Sequence, residues 1–522
     1  MSLKGLLTSG HGIHPIRTMK RARFERRVRR AQRQLQGREE SHALDPIATA
    51  STRLAAGLAE QIAANPGLTG ILALADARGA FAARILLART AERTLDIQYY
   101  IWHHDCTGRL MLKALYEAAE RGVRVRLLLD DNGIAGMDDA LAALETHPNV
   151  AIRLFNPFKF RKLKPIGYIT DFSRANRRMH NKSFTADNQA TIVGGRNIGD
   201  EYFGAGAGTL FTDLDVLAAG QVVPEVSADF DRYWACESAF PIDRIVPSAT
   251  PDDLRRFVEA ASRLESDPEA AGYIKALHES QVIDELFGRK LDLAWNPCEL
   301  VSDDPSKGLG KATDDELMIF RVMQILGQPK ATVDLVSPYF VPTAAGVAAF
   351  TDIAARGIEM RVLTNALEAT DVAAVHAGYA KRRKALLRGG IKIYEMQRQP
   401  SSARRQGGPL GSSSSSLHAK TFSVDQRRVF VGSFNFDPRS ARLNTEMGLI
   451  VDDRELAVAV DKAFDDEVPI TAYEVRLDER GALHWLQWRD GKQVRIDTEP
   501  GTGFVKRAVI GLLSLLPIEW LL

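Results

Sequence analysis

The sequence predicts an α/β fold of two α/β/α halves related by a pseudo-two-fold axis, each with a mixed, largely parallel sheet. Three observations carry that reading. A strand–helix–strand order occurs twice, a His/Lys/Asp/Asn pattern occurs once in each copy at matching spacing, and the composition is ordinary for a globular chain. Of 522 residues, 45% are hydrophobic and 26% charged, with 68 Lys plus Arg against 66 Asp plus Glu. This excludes wholesale disorder, a collagen-like fibre and a polytopic membrane protein. A net charge of +2 argues against a nucleic-acid binder over the whole surface. Cys106, Cys236 and Cys298 cannot form a disulfide framework, and no Cys/His cluster has zinc spacing. Neither a metal nor a cofactor is expected.

In chain order, LDIQYYIW from Leu95 reads as a strand, TGRLMLKALYEAAERG as an amphipathic helix with a Gly stop, and VRVRLLLDDNG as a second strand. The order recurs in VDLVSPYFVP, AAGVAAFTDIAARG and IEMRVLTN, with Arg121-Gly122 and Arg356-Gly357 at matching points. Strand, helix, strand implies βαβ units. The halves are placed at 66–240 and 316–465. A helical insertion and polar linker, including SDDPSKGLGKATDD, fills 241–315. Alternation and two turns, Arg480-Gly481 and Asp490-Gly491, make 466–503 a small β meander. Its Trp485 and Trp488 are expected to pack in the core or on the sheet.

The repeat is sharpest at HNKSFTAD, from His180 to Asp187, and HAKTFSVD, from His418 to Asp425. GGRN then ends at Asn197 and GSFN at Asn435, so the interval from His to Asn is identical in the two copies. The offset from His180 to His418 nearly equals that from Arg121 to Arg356, which makes these the same place in each half. Alternation along a strand puts His180 and Lys182 on one face, and His418 and Lys420 likewise. A two-fold relation then brings both pairs to one site. One neutral imidazole is suited to nucleophilic attack, the other, protonated, to donation to a leaving group. Lys182, Lys420, Asn197 and Asn435 are suited to holding the oxygens of a phosphodiester without a metal ion. A histidine nucleophile also needs an acceptor on its second nitrogen. Asp213 in LFTDLDVL and Glu446 in LNTEMGLI lie at comparable places downstream of their histidines, in apolar strand patterns, and are expected to orient them. Asp187 and Asp425 are counted with the catalytic set. Strand or turn structure is their other reading, since a position that far beyond the lysine need not return to the site. The trio His103-His104-Asp105 reads as a helix cap or surface feature.

These paired motifs resemble the phospholipase D superfamily. The flanking text DIQYYIWHHDCTGRLMLKAL, GVRVRLLLDDN, GYITDFSRANRRMHNKSF, VGGRNIGDEYF, HAGYAKRRKALL, VFVGSFNFDPRSARLNTEMG and LPIEWLL is similar to the bacterial C-type cardiolipin synthases, from about residue 70 onward. The resemblance implies passage of a phosphatidyl group through a phosphohistidine intermediate to the hydroxyl of a second lipid. The implied substrates are phosphatidylglycerol with phosphatidylethanolamine, or a second phosphatidylglycerol. It implies His180 as nucleophile and His418 as general acid, an order that internal symmetry leaves open. Gly195, where the second copy has Ser433, departs from the usual G-S-x-N pattern, so the two half-sites are not expected to bind phosphate identically. A hydrolytic phospholipase D, a nuclease of the same superfamily and a non-catalytic lipid-binding scaffold are the competing readings.

The ends are less ordinary than the average. Arg17–Arg38 holds nine Arg and one Lys against one acid, Glu25, and reads as a basic helix on an anionic membrane or as a solvated, RNA-sticky arm. No export segment is expected in residues 1–16. The apolar run from Ala508 to Leu522 is shorter than the roughly 20 residues a membrane span needs, and is interrupted by Pro517 and Glu519. With Trp520 it reads as a membrane-associating helix over 504–522, or as a helix packed on the protein itself. Phospholipids and an anionic membrane surface are the expected partners, nucleic acid is not, and a peripheral or monotopic inner-membrane location on the cytoplasmic side is favoured. The Ser/Gly-rich stretch Ser401–Ser416 reads as a lid over the second motif or a long connection.

Overall fold

Each copy of the repeat lays down one sheet. The computed structural model describes residues 41–522 apart from 159–160, 162–167, 169–170, 206–209, 265, 279–291, 371, 399–414, 490, 516–518 and 520–522. The basic segment Arg17–Arg38, nearly all of Ser401–Ser416 and Trp520 therefore lie outside the described residues.

The first sheet runs, edge to edge, Ala294–Asn296, Thr69–Leu74, Asp215–Gly220, Ala190–Gly194, Ser183–Ala186, Thr94–Ile101, Arg124–Gly133, Val150–Phe155 and Ala239–Pro241. The second runs Cys298–Ser302, Met447–Val451, Arg428–Gly432, Thr421–Val424, Thr332–Val336, Glu359–Asn365, Lys392–Met396, then Ala472–Leu477, Leu483–Arg489 and Lys492–Ile496. Six consecutive strands, from Asp215–Gly220 to Val150–Phe155, match six from Met447–Val451 to Lys392–Met396 in the same spatial order. The mixed α/β halves are as expected, but "largely parallel" is corrected. In each sheet only the three strands joined by crossover helices are mutually parallel, and their other neighbours pair antiparallel. Hydrophobic runs buried on both faces do not report strand direction, and only the crossover lengths do.

The repeat extends to buried charge. Arg126 donates to Asp96 at 2.6 Å, and Arg361 to Asp334 at 2.6 Å, across equivalent parallel strand pairs. Gly122 and Gly357 both end their helices with left-handed φ, 90° and 82°. One core packs Leu95, Ile97, Val125 and Leu127 under Phe81, Met111 and Leu115. Its counterpart packs Leu335, Val362 and Ile393 with Tyr379 and Leu386. A shared apolar cluster, including Val193, Val216 and Ala218 of one sheet with Val429, Val431 and Leu449 of the other, joins the halves.

The connection is more than a linker. Trp295 pairs with the first sheet, and Cys298–Ser302 pairs with the second. The three strands after residue 471 extend the second sheet rather than standing apart. Trp485 is buried there, donating to Glu395 at 2.8 Å, whereas Trp488 is exposed. Among the described residues no helix is long and apolar enough to cross a membrane.

Candidate active site

Antiparallel neighbours place the start of one strand beside the end of the next, so distant motif residues collect at one end of the central strands of each sheet. His180 and Lys182 sit in the extended run just ahead of Ser183–Ala186, and His418 and Lys420 just ahead of Thr421–Val424. This corrects their expected placement within the strands. Asn197 follows Ala190–Gly194, and Asn435 follows Arg428–Gly432. Asp213 comes just ahead of Asp215–Gly220 and Glu446 just ahead of Met447–Val451.

The halves exchange carboxylates. His180 of the first half has its Nδ1 2.8 Å from Oε2 of Glu446 in the second, and His418 of the second has its Nδ1 2.6 Å from Oδ2 of Asp213 in the first. The backbones cross in the same way: the His180 amide donates to Thr445 O and the His418 amide to Thr212 O. A short parallel pairing of Leu210–Thr212 with Ser415–Leu417 ties the second crossing. The Ser433 carbonyl lies 3.1 Å from the same Nδ1 of His180. A carbonyl can only accept, so Nδ1 carries the proton and Nε2 of the neutral ring keeps its lone pair. Both lysines fold back onto the carbonyl of the motif histidine that precedes them, and Lys420 Nζ also lies 3.0 Å from His418 Nδ1.

Electrostatics separates the two imidazoles. Burial, then the ammoniums of Lys182 and Lys420, hold His180 well below its usual value. His418 is also lowered, by burial and then Lys420, but the Asp213 carboxylate opposes this. Burial alone would raise Asp213, yet His418, Lys420 and Arg196 bring it down to about 2. Glu446 shows the opposite outcome: burial lifts it to about 7 against the pull of Lys182. Burial also holds Lys182 well below the usual lysine value, a penalty that an anionic ligand would relieve.

The structure distributes the remaining expected residues unevenly. Ser433 Oγ donates to Glu446 at 2.5 Å, and Asn197 Nδ2 donates to Tyr202 OH at 3.0 Å, so both of these donors are engaged within the protein. Asn435 Oδ1 is buried with no hydrogen-bond partner. Asp187 and Asp425 stand apart from the imidazoles. Asp187 accepts the amides of Glu92, Arg93 and Thr94, Asp425 those of Lys330, Ala331 and Thr332, and both have left-handed φ, 52° and 53°. This is the turn geometry of their second reading. Asp105 caps the helix Cys106–Glu120 through the Gly108 amide at 3.0 Å, and His103 pairs with Glu201 at 3.1 Å.

The motif search did not single out the aromatic walls. Tyr100 meets the His180 ring edge-on with centroids 5.0 Å apart, while Phe211 stacks on His418 at 5.2 Å and Tyr202 meets it edge-on at 5.1 Å. It also missed Asp130, which accepts the Met179 amide at 2.8 Å and pairs with Arg178. Only Tyr100 and Asp130 carried a signal, their position toward the carboxyl ends of Thr94–Ile101 and Arg124–Gly133, whereas Tyr202 lies on the short helix Asp200–Phe203 and Phe211 within Leu210–Thr212.

Two imidazoles, two ammoniums and two exchanged carboxylates at the seam of a duplicated α/β fold define a phospholipase D-like centre for phosphodiester chemistry. The family model described as "Cardiolipin synthase, PLD-like domain" matches residues 85–234 and 322–468. The chain belongs to this cardiolipin synthase family. It is 48% identical to cardiolipin synthase C of Escherichia coli (strain K12), over 90% of this chain and all of that protein. A cardiolipin synthase of Staphylococcus aureus (strain Mu50 / ATCC 700699) is 23% identical over 77% of this chain and 68% of its own length. The solved phosphatidylserine synthase of Haemophilus influenzae Rd KW20 shares the fold, with a TM-score of 0.52 and 13% identity over 80% of this chain and 90% of that one.

Proposed function

We propose that the protein is a cardiolipin synthase that transfers a phosphatidyl group to phosphatidylglycerol from phosphatidylethanolamine or a second phosphatidylglycerol. The observation that carries the mechanism is the reciprocal carboxylate exchange, which leaves two inequivalent imidazoles at one seam. Nε2 of His180 attacks phosphorus and the bond from phosphorus to the headgroup oxygen breaks. His418, its imidazolium supported by ionised Asp213, gives the leaving oxygen a proton. The hydroxyl of the acceptor lipid then attacks the phosphohistidine as His418 takes back a proton, and the P–N bond breaks. Lys182, Lys420 and Asn435 hold the phosphoryl oxygens, Glu446 and Asp213 orient the rings, and Asp187 and Asp425 anchor turns.

The substrates lie in a bilayer, so the protein works there as a peripheral protein. The helix Phe504–Ser514 and the basic segment Arg17–Arg38 dock it, the second through attraction of about 1 kcal/mol per basic side chain near an anionic surface.

Incubation with each lipid alone and with both, read by mass spectrometry, tests this reading. Cardiolipin is expected, with ethanolamine released if phosphatidylethanolamine is the donor, and phosphatidic acid as the sole product would overturn it. His180→Ala and His418→Ala are each expected to abolish product. Full activity in either would refute a shared site.

A further inference from the structure

Each carboxylate that orients a histidine has a buried cation behind it, and the two cations come from unrelated places in the chain. In the first half it is Arg196, wholly buried, donating from Nη2 to the Asp213 carbonyl at 2.6 Å and paired through Nη1 with Asp215. Arg196 directly precedes Asn197. The equivalent residue before Asn435 is Phe434, which is apolar and buried, so the second half has no cation at this position.

Lys307 fills that role from the connection between the halves. It is 2% exposed, and its Nζ donates to Asp303 Oδ2 at 2.7 Å and to Ser440 O at 2.7 Å. Asp303, also wholly buried, accepts the Glu446 amide at 2.9 Å on the same oxygen, and its own amide donates to Glu446 O at 3.0 Å. Its other oxygen accepts the Met318 amide at 2.8 Å. Ser440 in turn accepts the Asn435 amide at 3.3 Å. The segment is wedged on both sides. Tyr233 OH donates to Asp303 O at 2.8 Å, Arg177 donates to Lys307 O at 3.1 Å, and a Cβ at Gly308 would lie 2.7 Å from the Phe155 ring. Burying two full charges is costly unless something requires them there. What they grip is the backbone of Glu446.

We propose that Asp303 and Lys307 are positioning residues of the reaction centre: they fix Glu446 against His180, and the Lys307 charge favours the ionised carboxylate, as Arg196 does for Asp213. The connection between the halves is thereby part of the active site. The proposal rests on the phosphohistidine reading, in which an ionised Glu446 supports the attacking ring. Lys307 is among the charges that pull Glu446 downward against burial, which agrees with this role.

The test is the pH dependence of kcat in two near-isosteric variants, each read where it is folded. Lys307→Gln removes the favourable charge, so the ascending limb should move up by about one pH unit, with kcat at pH 7 down about fivefold and KM within twofold. Asp303→Asn removes the opposing charge and should move the same limb down. Lys307→Arg should restore the wild-type limb. Limbs that stay at the wild-type pH in either folded variant, or that move the same way in both, overturn the proposal. Turnover is followed as total headgroup release. Wild-type protein that makes phosphatidic acid but no cardiolipin would therefore defeat the transferase reading while leaving this test intact.

Discussion

Gly195 is set by Asp213: a Cβ at position 195 would lie 2.2 Å from the Asp213 Oδ1. The carboxylate cannot withdraw, because Oδ1 accepts the Leu214 amide at 2.8 Å and Oδ2 faces His418 at 2.6 Å. In the second half Glu446, at the equivalent place, meets His180 at 2.8 Å, and Ser433 fits beside it and donates to it. The departure from the G-S-x-N pattern is thus the complement of an Asp in place of a Glu. Gly195→Ala should destabilise the fold by about 1–3 kcal/mol through overpacking and slow turnover together with it. Ser433→Gly creates no clash but removes the Oγ bond to Glu446 and the acceptor of the Met447 amide at 3.0 Å, so a loss of about 2 kcal/mol is expected. Urea midpoints and turnover check both losses, and a Gly195→Ala protein as stable and active as wild type would contradict the packing argument.

The two orienting carboxylates should respond to pH in opposite ways. Asp213 is depressed from 3.8 to about 2, so the stability it lends is present above pH 3.8 and is lost as pH falls through 2. Asp213→Asn should therefore cost on the order of 2 kcal/mol equally at pH 5 and pH 8. Glu446 is raised from 4.5 to about 7, so the folded state favours its proton and stability drains away as pH rises from 4.5 through 7. The stability advantage of wild type over Glu446→Gln should shrink by up to about 3 kcal/mol across that window. Denaturant titrations at pH 5 and pH 8 separate the two behaviours. In activity both variants should lose at least a hundredfold, since an amide can donate to Nδ1 and leave the ring in the wrong tautomer.

Much of this site was legible because its chemistry repeats at fixed spacing. His180, Lys182, His418 and Lys420 were marked by two in-register motifs, and Asp213 and Glu446 by being acids inside apolar strands. Strand direction was not legible, since buried runs such as Thr191–Val193 read alike either way. Lys307 and Asp303 were hidden for a different reason. A polar string such as SDDPSKG has the composition of a solvated linker, and only its wedging between Tyr233 and Ser440 buries it. Phe434 opposite Arg196 was the one local sign that a cation had to come from elsewhere.

Asp187 gathers three backbone amides at a left-handed position, a task of architecture. Asp187→Ala strands those donors and places alanine at positive φ, so a loss of about 3 kcal/mol is expected. Asp187→Asn keeps an acceptor and tolerates the backbone, so its loss should be less than half as large. Both should keep a wild-type pH–rate profile at temperatures where they are folded. A profile displaced in Asp187→Asn would return this residue to the catalytic set.

The terminal helix Phe504–Ser514 carries an exposed apolar face. Ile510 is buried, and with Leu513 it packs in the cluster of Leu367, Ala373 and Ala377. Phe504, Val505, Val509 and Leu512 are exposed, with Leu515 following at 79%. At 100° per residue these five fall within one stripe opposite Ile510, while Lys506 donates inward to Leu367 O at 2.7 Å. Ala369, close by in sequence to Leu367, accepts from Ser416 at 3.1 Å, just ahead of His418, so the stripe is tied to the chain that carries the second motif. Each large apolar side chain leaving water is worth up to about 2 kcal/mol. Phe504→Glu with Leu512→Glu should therefore weaken sedimentation with phosphatidylglycerol vesicles at least tenfold at high salt. Deleting Arg17–Arg38 should weaken it mainly at low salt, because screening removes the charge-driven part. Turnover of detergent-dispersed lipid should stay within twofold in the helix variant, since no reacting group has moved. Vesicle binding unchanged in that variant would show that the stripe faces something other than the bilayer.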